Sequence, residues 1–177
     1  MTQALKTRLF SSSACVLMCA LLFTLALPAT REQTASRRPA EKSWVYPLVG
    51  SAVSSQYGYR HHPVQHRWKH HNGLDLAAPS HAPIRSISDG TVIFADAYGG
   101  FGNLVVVRHS DEMTSHYGHC NSILVRPGQH VKSGQIVATV GETGRVTGPH
   151  LHFEVRINGE IQNPEKYIPG LGLPAAG

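Results

Sequence analysis

From Trp44 onward, no stretch of this chain repeats apolar residues at helical spacing for long enough to argue a substantial helix. Short runs rich in β-branched and aromatic residues stand in its place, each cut off by Gly, Pro, Asn or Asp. They are GTVIFADA (90–97), NLVVVRHS (103–110), MTSHYGHC (113–120), QIVATVG (135–141) and LHFEVRING (151–159). Strands with turn signals at this spacing predict an all-β domain, built as a sheet, a sandwich or a partial barrel. Asn158-Gly159 is a hairpin turn that returns the chain into a short strand at Glu160 to Gln162. YGGFGN (98–103) and RPGQHVKSGQ (126–135) read as Gly-rich loops.

The first 43 residues have a different character. Lys6 and Arg8 precede an apolar run from about Ala14 to Leu27, the order of a signal peptide; cleavage after Ala29 or Ala26 is the expectation, and an uncleaved N-terminal anchor is the alternative. Met18 before Cys19 is too large for a lipoprotein site. Residues 30–43 are polar, contain proline and lack periodicity, which makes them a linker. The domain is expected over 44–168, and 169–177 (PGLGLPAAG) reads as a disordered tail.

The formal net charge is +5, and Lys6 and Arg8 of the leader carry two of those charges. No dense Lys/Arg block is present, so a nucleic-acid partner is not expected. Attraction to an anionic polymer such as a cell wall remains open. Cys15 and Cys19 fall in the leader, leaving Cys120 alone in the domain. An exported domain of this size then has no internal disulfide and relies on its core, helped by a metal.

Twelve histidines is a high number for 177 residues, and many lie in HHPVQHRWKHHNGLDLAAPSH (61–81). Alone, such a stretch reads as a solvated loop or adventitious metal capture. HNGLD, however, sets His71 four residues before Asp75. Because GLDLA alternates as a strand does, the two are expected on one face. His150 and His152, in GPHLHFEV, also share a strand face. A zinc ion that does chemistry takes three N or O ligands and leaves a position for water. Asp75 with two histidines is such a set.

The stretches HNGLDLAAP, GTVIFADAYGGFGNLVVVRH, HYGHC, VKSGQIVATVGETGRVTGPHLHFEV and the NP at 163–164 occur in that order. Together with YGYRHHP (57–63) they resemble the catalytic domain of lysostaphin/LytM-type zinc metallopeptidases, which cut peptide cross-links of bacterial cell walls. The likeness covers about Pro47 to Tyr167. It implies an open groove formed by antiparallel sheets, with one zinc ion held by His71, Asp75 and His152. It also implies His119 and His150 as catalytic histidines beside the metal. Cys120 departs from the leucine more usual there.

Several functional expectations follow from the resemblance. The chain is read as an exported or periplasmic endopeptidase acting on peptidoglycan peptide stems, with D-alanyl–diaminopimelate bonds preferred over glycine bridges. The second reading is a catalytically silent regulator that activates a cell-wall amidase, and the third is a histidine-rich metal buffer. No HExxH helix supplies a glutamate base, so proton transfer falls to histidine or water. Glu154 either orients a ligand or pairs with Arg156; Tyr117 either lines the groove or is a strand aromatic; Arg60 braces the site or makes a structural ion pair. His70, one residue out of phase with His71, is expected on the other face.

Overall fold

The computed structural model describes residues 44–61, 68–110 and 112–168, with the side chain of His61 excepted. The expected leader, linker and tail, together with His62 and His66, lie outside the described residues.

Twelve strands make up the described fold: β1 (Ala52–Ser55), β2 (Gly58–His61), β3 (Trp68–His71), β4 (Leu74–Ala77), β5 (Pro83–Arg85), β6 (Gly90–Ala97), β7 (Asn103–Arg108), β8 (Met113–Ile123), β9 (His130–Val131), β10 (Ile136–Val140), β11 (His150–Ile157) and β12 (Glu160–Gln162). Helical structure among the described residues is limited to two 3-10 turns, Gly99–Phe101 and Pro164–Lys166. None is long or apolar enough to cross a membrane. The all-β expectation and the five strand-forming runs are reproduced, and β9 forms inside a segment read from sequence as loop.

Ten strands form one antiparallel sheet, with β1-β4-β11-β8-β7-β6-β9 as its main path; β2 and β3 form a separate two-stranded sheet. Period-2 alternation sorts the main sheet into two faces. Leu74 and Leu76 of β4, Tyr117 of β8, and Leu151, Phe153 and Val155 of β11 are fully buried on one face, in a core shared with Ile84, Ile87, Val137 and Val140. Asp75, His150, His152 and Glu154 occupy the alternate positions and line a groove. The β11–β12 hairpin closes through Asn158 (φ 51°) and Gly159 (φ 82°), with Ile157 opposite Glu160. Positive φ at both turn residues is the conformation that matches strand twist, and Asn-Gly reaches it with least strain.

One irregularity decides what the groove contains. Between β7 and β8 the register passes from Val105 opposite Tyr117 to Asn103 opposite Cys120, so β8 carries one extra residue there. His119 takes it up at φ 62°. Such a bulge breaks alternation. Tyr117 and Cys120 both end in the core, and His119 turns to the groove.

Candidate functional site

The groove has a volume of about 760 Å³ and runs across the polar face of β4 and β11. Asp75 lies directly opposite His152 in the β4–β11 ladder. His152 Nδ1 is 2.8 Å from Asp75 Oδ1, and His71 Nε2 is 3.1 Å from the same oxygen. His71 Nε2 and His152 Nδ1 are 3.2 Å apart. His71 and Asp75 meet, but not along one strand: His71 ends β3 of the small sheet, the chain breaks at Asn72-Gly73, and Asp75 belongs to β4 of the large one. Gly73 permits this, since a Cβ there would sit 2.4 Å from the Phe153 carbonyl oxygen.

The three residues could hold a metal ion. Two imidazole nitrogens and one carboxylate oxygen form the donor set of a zinc site with an open position. Zinc–ligand bonds of about 2.0–2.1 Å at tetrahedral angles put donor atoms about 3.3 Å apart. The separations here, 2.8 to 3.2 Å, need only a slight opening to match. The outer nitrogens fix the tautomers. His71 Nδ1–H donates to the Gln56 carbonyl (2.8 Å), and His152 Nε2–H donates to Glu154 Oε1 (3.0 Å). Arg156 holds the other Glu154 oxygen from Nε (2.9 Å) and Nη2 (2.6 Å). Glu154 therefore contacts both His152 and Arg156 at once.

Charge in this cluster follows from burial and contact. Burial works against ionisation of Asp75, yet His152 and His71 hold its carboxyl far below the usual range. Burial likewise disfavours a charged His152, but Asp75 and Glu154 overcome it and raise its pKa to about 9. Glu154, although buried, is held below the ordinary carboxylate range by His152 and Arg156.

His119 and His150 complete the groove floor, with ring centroids 4.8 Å apart; His150 Nε2 is 3.7 Å from Asp75 Oδ1. Each donates its Nδ1–H to a carbonyl: His119 to Thr143 (2.9 Å), His150 to Gly148 (2.8 Å). In the neutral rings this leaves Nε2 as the acceptor. Burial, with His150 alongside, lowers the His119 pKa to about 4, so the ring is neutral at pH 7.

All five sequence-predicted residues thus line one groove. Tyr117 is in the core instead, its hydroxyl accepting from Ile87 N–H (3.0 Å) and Ser115 Oγ (2.8 Å). His70 bonds Asn72 (3.0 Å) and packs edge-on to Tyr57 and Tyr59, and, against the expectation that it would face away, it also lines the groove. Arg60 lines the groove. Sequence reasoning missed Thr143, whose carbonyl orients His119 while its hydroxyl accepts from Asn103 N–H (2.9 Å) and donates to the Cys120 carbonyl (2.8 Å). It also missed Phe101, set edge-on to His152 with centroids 5.5 Å apart. Gly118 makes room for Phe101, whose Cδ1 would be 2.9 Å from a Cβ there. No local signal in the sequence marks either contact; both depend on loops meeting across the sheet.

Comparison with known proteins gives this site a context. Residues 69–164 match the model of peptidase family M23. Over 120 residues the chain is 44% identical to the DD-carboxypeptidase/endopeptidase Mpg of Neisseria meningitidis, covering 68% of this chain and 28% of that protein. Over 98 residues it is 42% identical to the murein hydrolase activator NlpD of Salmonella dublin, covering 55% and 26%. A zinc-containing peptidase from Vibrio cholerae superposes with a TM-score of 0.67 at 39% identity, covering 72% of this chain and 41% of that one. The chain thus spans well under half the length of each of these proteins.

Proposed function

Because the chain belongs to peptidase family M23, the lysostaphin-type family to which its motifs pointed, we propose that it is a zinc-dependent endopeptidase hydrolysing peptide cross-links of peptidoglycan at D-alanyl–diaminopimelate bonds. The observation that carries this reading is the meeting of His71 Nε2, Asp75 Oδ1 and His152 Nδ1 within 3.2 Å of one another, beside two further histidines. A zinc ion held there supplies a Lewis acid and lowers the pKa of water toward about 7.

The remaining work falls to the chain's own residues. His119, neutral at pH 7, presents its Nε2 lone pair to the reacting centre, and each of the His119 and His150 rings is oriented by a carbonyl at Nδ1. One takes the proton of the attacking water and delivers it to the leaving amine; as an imidazolium it donates to the oxygen on which charge develops. Asp75 keeps its negative charge throughout, so the ligand set stays intact as protons move. Phe101 covers one side of His152 and limits water on that flank. Export through the leader would deliver the enzyme to the wall.

The relative named as an activator favours a second reading, in which the same groove binds and stimulates an amidase without cutting. A complete histidine set with its orienting carbonyls supports the hydrolase. The two separate by experiment: zinc content of the purified full-length protein, with mass spectrometry of muropeptides released from cross-linked wall. Cleavage by the wild type, loss of zinc and activity in His152→Ala, and loss of turnover with zinc retained in His119→Ala are expected. An inert wild type that nonetheless stimulates an amidase would establish the activator.

A further inference from the structure

Five charged side chains line the groove: Arg60, Lys69, Arg145, Asp75 and Glu154. Asp75 is committed to the ligand cluster, and Glu154 to His152 and Arg156. Three cations remain. Among the described residues none of them lies within ion-pair distance of a carboxylate. Arg60 and Lys69 are direct cross-strand partners in the β2–β3 hairpin. Like charges so opposed weaken a strand pair, and among the described residues no carboxylate pairs with either. Arg145 belongs to the loop between β10 and β11, whose backbone is tied to the 99–101 turn by Arg145 N–H to the Gly100 carbonyl (3.0 Å). The hairpin enters between β1 and β4; the 99–101 turn joins β6 to β7. In the strand order these lie on either side of β11, so cations flank the histidine centre from both sides.

We infer that Arg60, Lys69 and Arg145 read carboxylates on either side of the scissile amide, so that the groove selects an anionic cross-link peptide over an uncharged oligoglycine bridge. This rests on the endopeptidase reading and adds to it the residues that set specificity. Guanidinium and ammonium groups on two walls match a substrate with a free carboxylate on each side of the bond. An oligoglycine segment offers them no partner, and their desolvation would then oppose binding.

The test uses zinc-loaded, full-length His119→Ala, titrated by calorimetry with two synthetic D-alanyl–diaminopimelate-linked stem peptides, one with free carboxylates and one with carboxamides. The free-acid peptide is expected to bind about tenfold more tightly at low salt, with the preference shrinking as salt rises. Arg60→Gln, Lys69→Gln and Arg145→Gln, each added singly, are expected to reduce that preference by about threefold or more. Arg60→Gln and Lys69→Gln should also raise the melting temperature of the free protein, since each removes one of two opposed like charges. Equal binding of the two peptides overturns the inference. So does a preference that survives in the triple variant, since the metal would then be what reads the carboxylate. Arg145→Gln, outside the hairpin, decides the matter if a hairpin variant fails to fold. Wall cleavage by the wild type is measured alongside: cleavage with equal peptide binding overturns this inference alone, whereas absence of cleavage overturns the endopeptidase reading and leaves the binding comparison to judge this one.

Discussion

Tyr117 and His119 are two residues apart in β8 yet lie on opposite faces of it, the first fully buried in the core and the second in the groove. The inversion comes from the bulge at His119, whose φ of 62° costs a side-chain-bearing residue about 1 kcal/mol or more. In an ordinary strand Ala is more stable than Gly. At this position the order reverses: His119→Gly is expected to be more stable than His119→Ala by about 1 kcal/mol in urea unfolding, with both lacking turnover. The usual order would mean that the left-handed backbone is not retained.

Glu154 is 1% exposed and spans from His152 Nε2 to Arg156. Glu154→Gln weakens the hold on the outer nitrogen of a ligand and is expected to lower zinc affinity about 10- to 100-fold in a chelator competition, with the fold kept. Glu154→Ala also leaves Arg156 unpaired, and its denaturation midpoint should reflect a loss on the order of 3 kcal/mol. Unchanged zinc affinity in both would remove Glu154 from the ligand's support.

Proton release on metal binding provides a third check. In the metal-free protein the His152 pKa, near 9, lies above its ordinary value of 6.5, so His152 is protonated at pH 7, and ligation at Nδ1 must expel that proton. Zinc affinity should therefore climb about tenfold per pH unit from roughly 6.5 to 9 and level off above. Calorimetry at pH 7 in buffers of differing ionisation enthalpy should report close to one proton from this residue. A heat independent of buffer contradicts it.

Gly144 and Gly102 clasp the two loops beside His119. A Cβ on Gly144, at φ 82°, would lie 2.4 Å from Gly102 N and 2.6 Å from the Gly100 carbonyl oxygen. Gly144→Ala must force these loops apart and shift Thr143, the partner of His119. A stability loss of at least about 2 kcal/mol with reduced turnover is expected. Gly128→Ala, also at positive φ but with nothing within 4 Å, should cost only the backbone strain, about 1 kcal/mol, and leave turnover intact.

What the sequence disclosed depended on the range of the interaction. Strands such as β6 and β11 carry their own alternation and turn signals, and His150 and His152 sit where period 2 sets them. The strands β1, β2, β3 and β5 are three or four residues long and polar in part, so their partner strands decide their conformation. The meeting of His71 with Asp75 was anticipated, although by way of a single strand where the chain in fact passes between two sheets. Spacing alone would have placed His119 with Tyr117. A register shift is set by neighbouring strands and leaves no trace in local periodicity, so only the family resemblance put His119 in the groove. Thr143 and Phe101 were invisible because their contacts come from loops that meet across the sheet.

His71 stands at the last position of a hairpin that is hydrogen-bonded into a separate ribbon, while its fellow donors Asp75 and His152 belong to the broad sheet. A metal held by the three donors would therefore rivet the ribbon to the slab, and with it the Arg60–Lys69 rung that lines the groove. On the endopeptidase reading, arming the catalyst and shaping its groove would become a single event. On that reading, removing the ion would cost discrimination together with reactivity, and a ribbon exchanged for another sequence would redirect the choice of substrate while the chemistry on the slab stayed as it was.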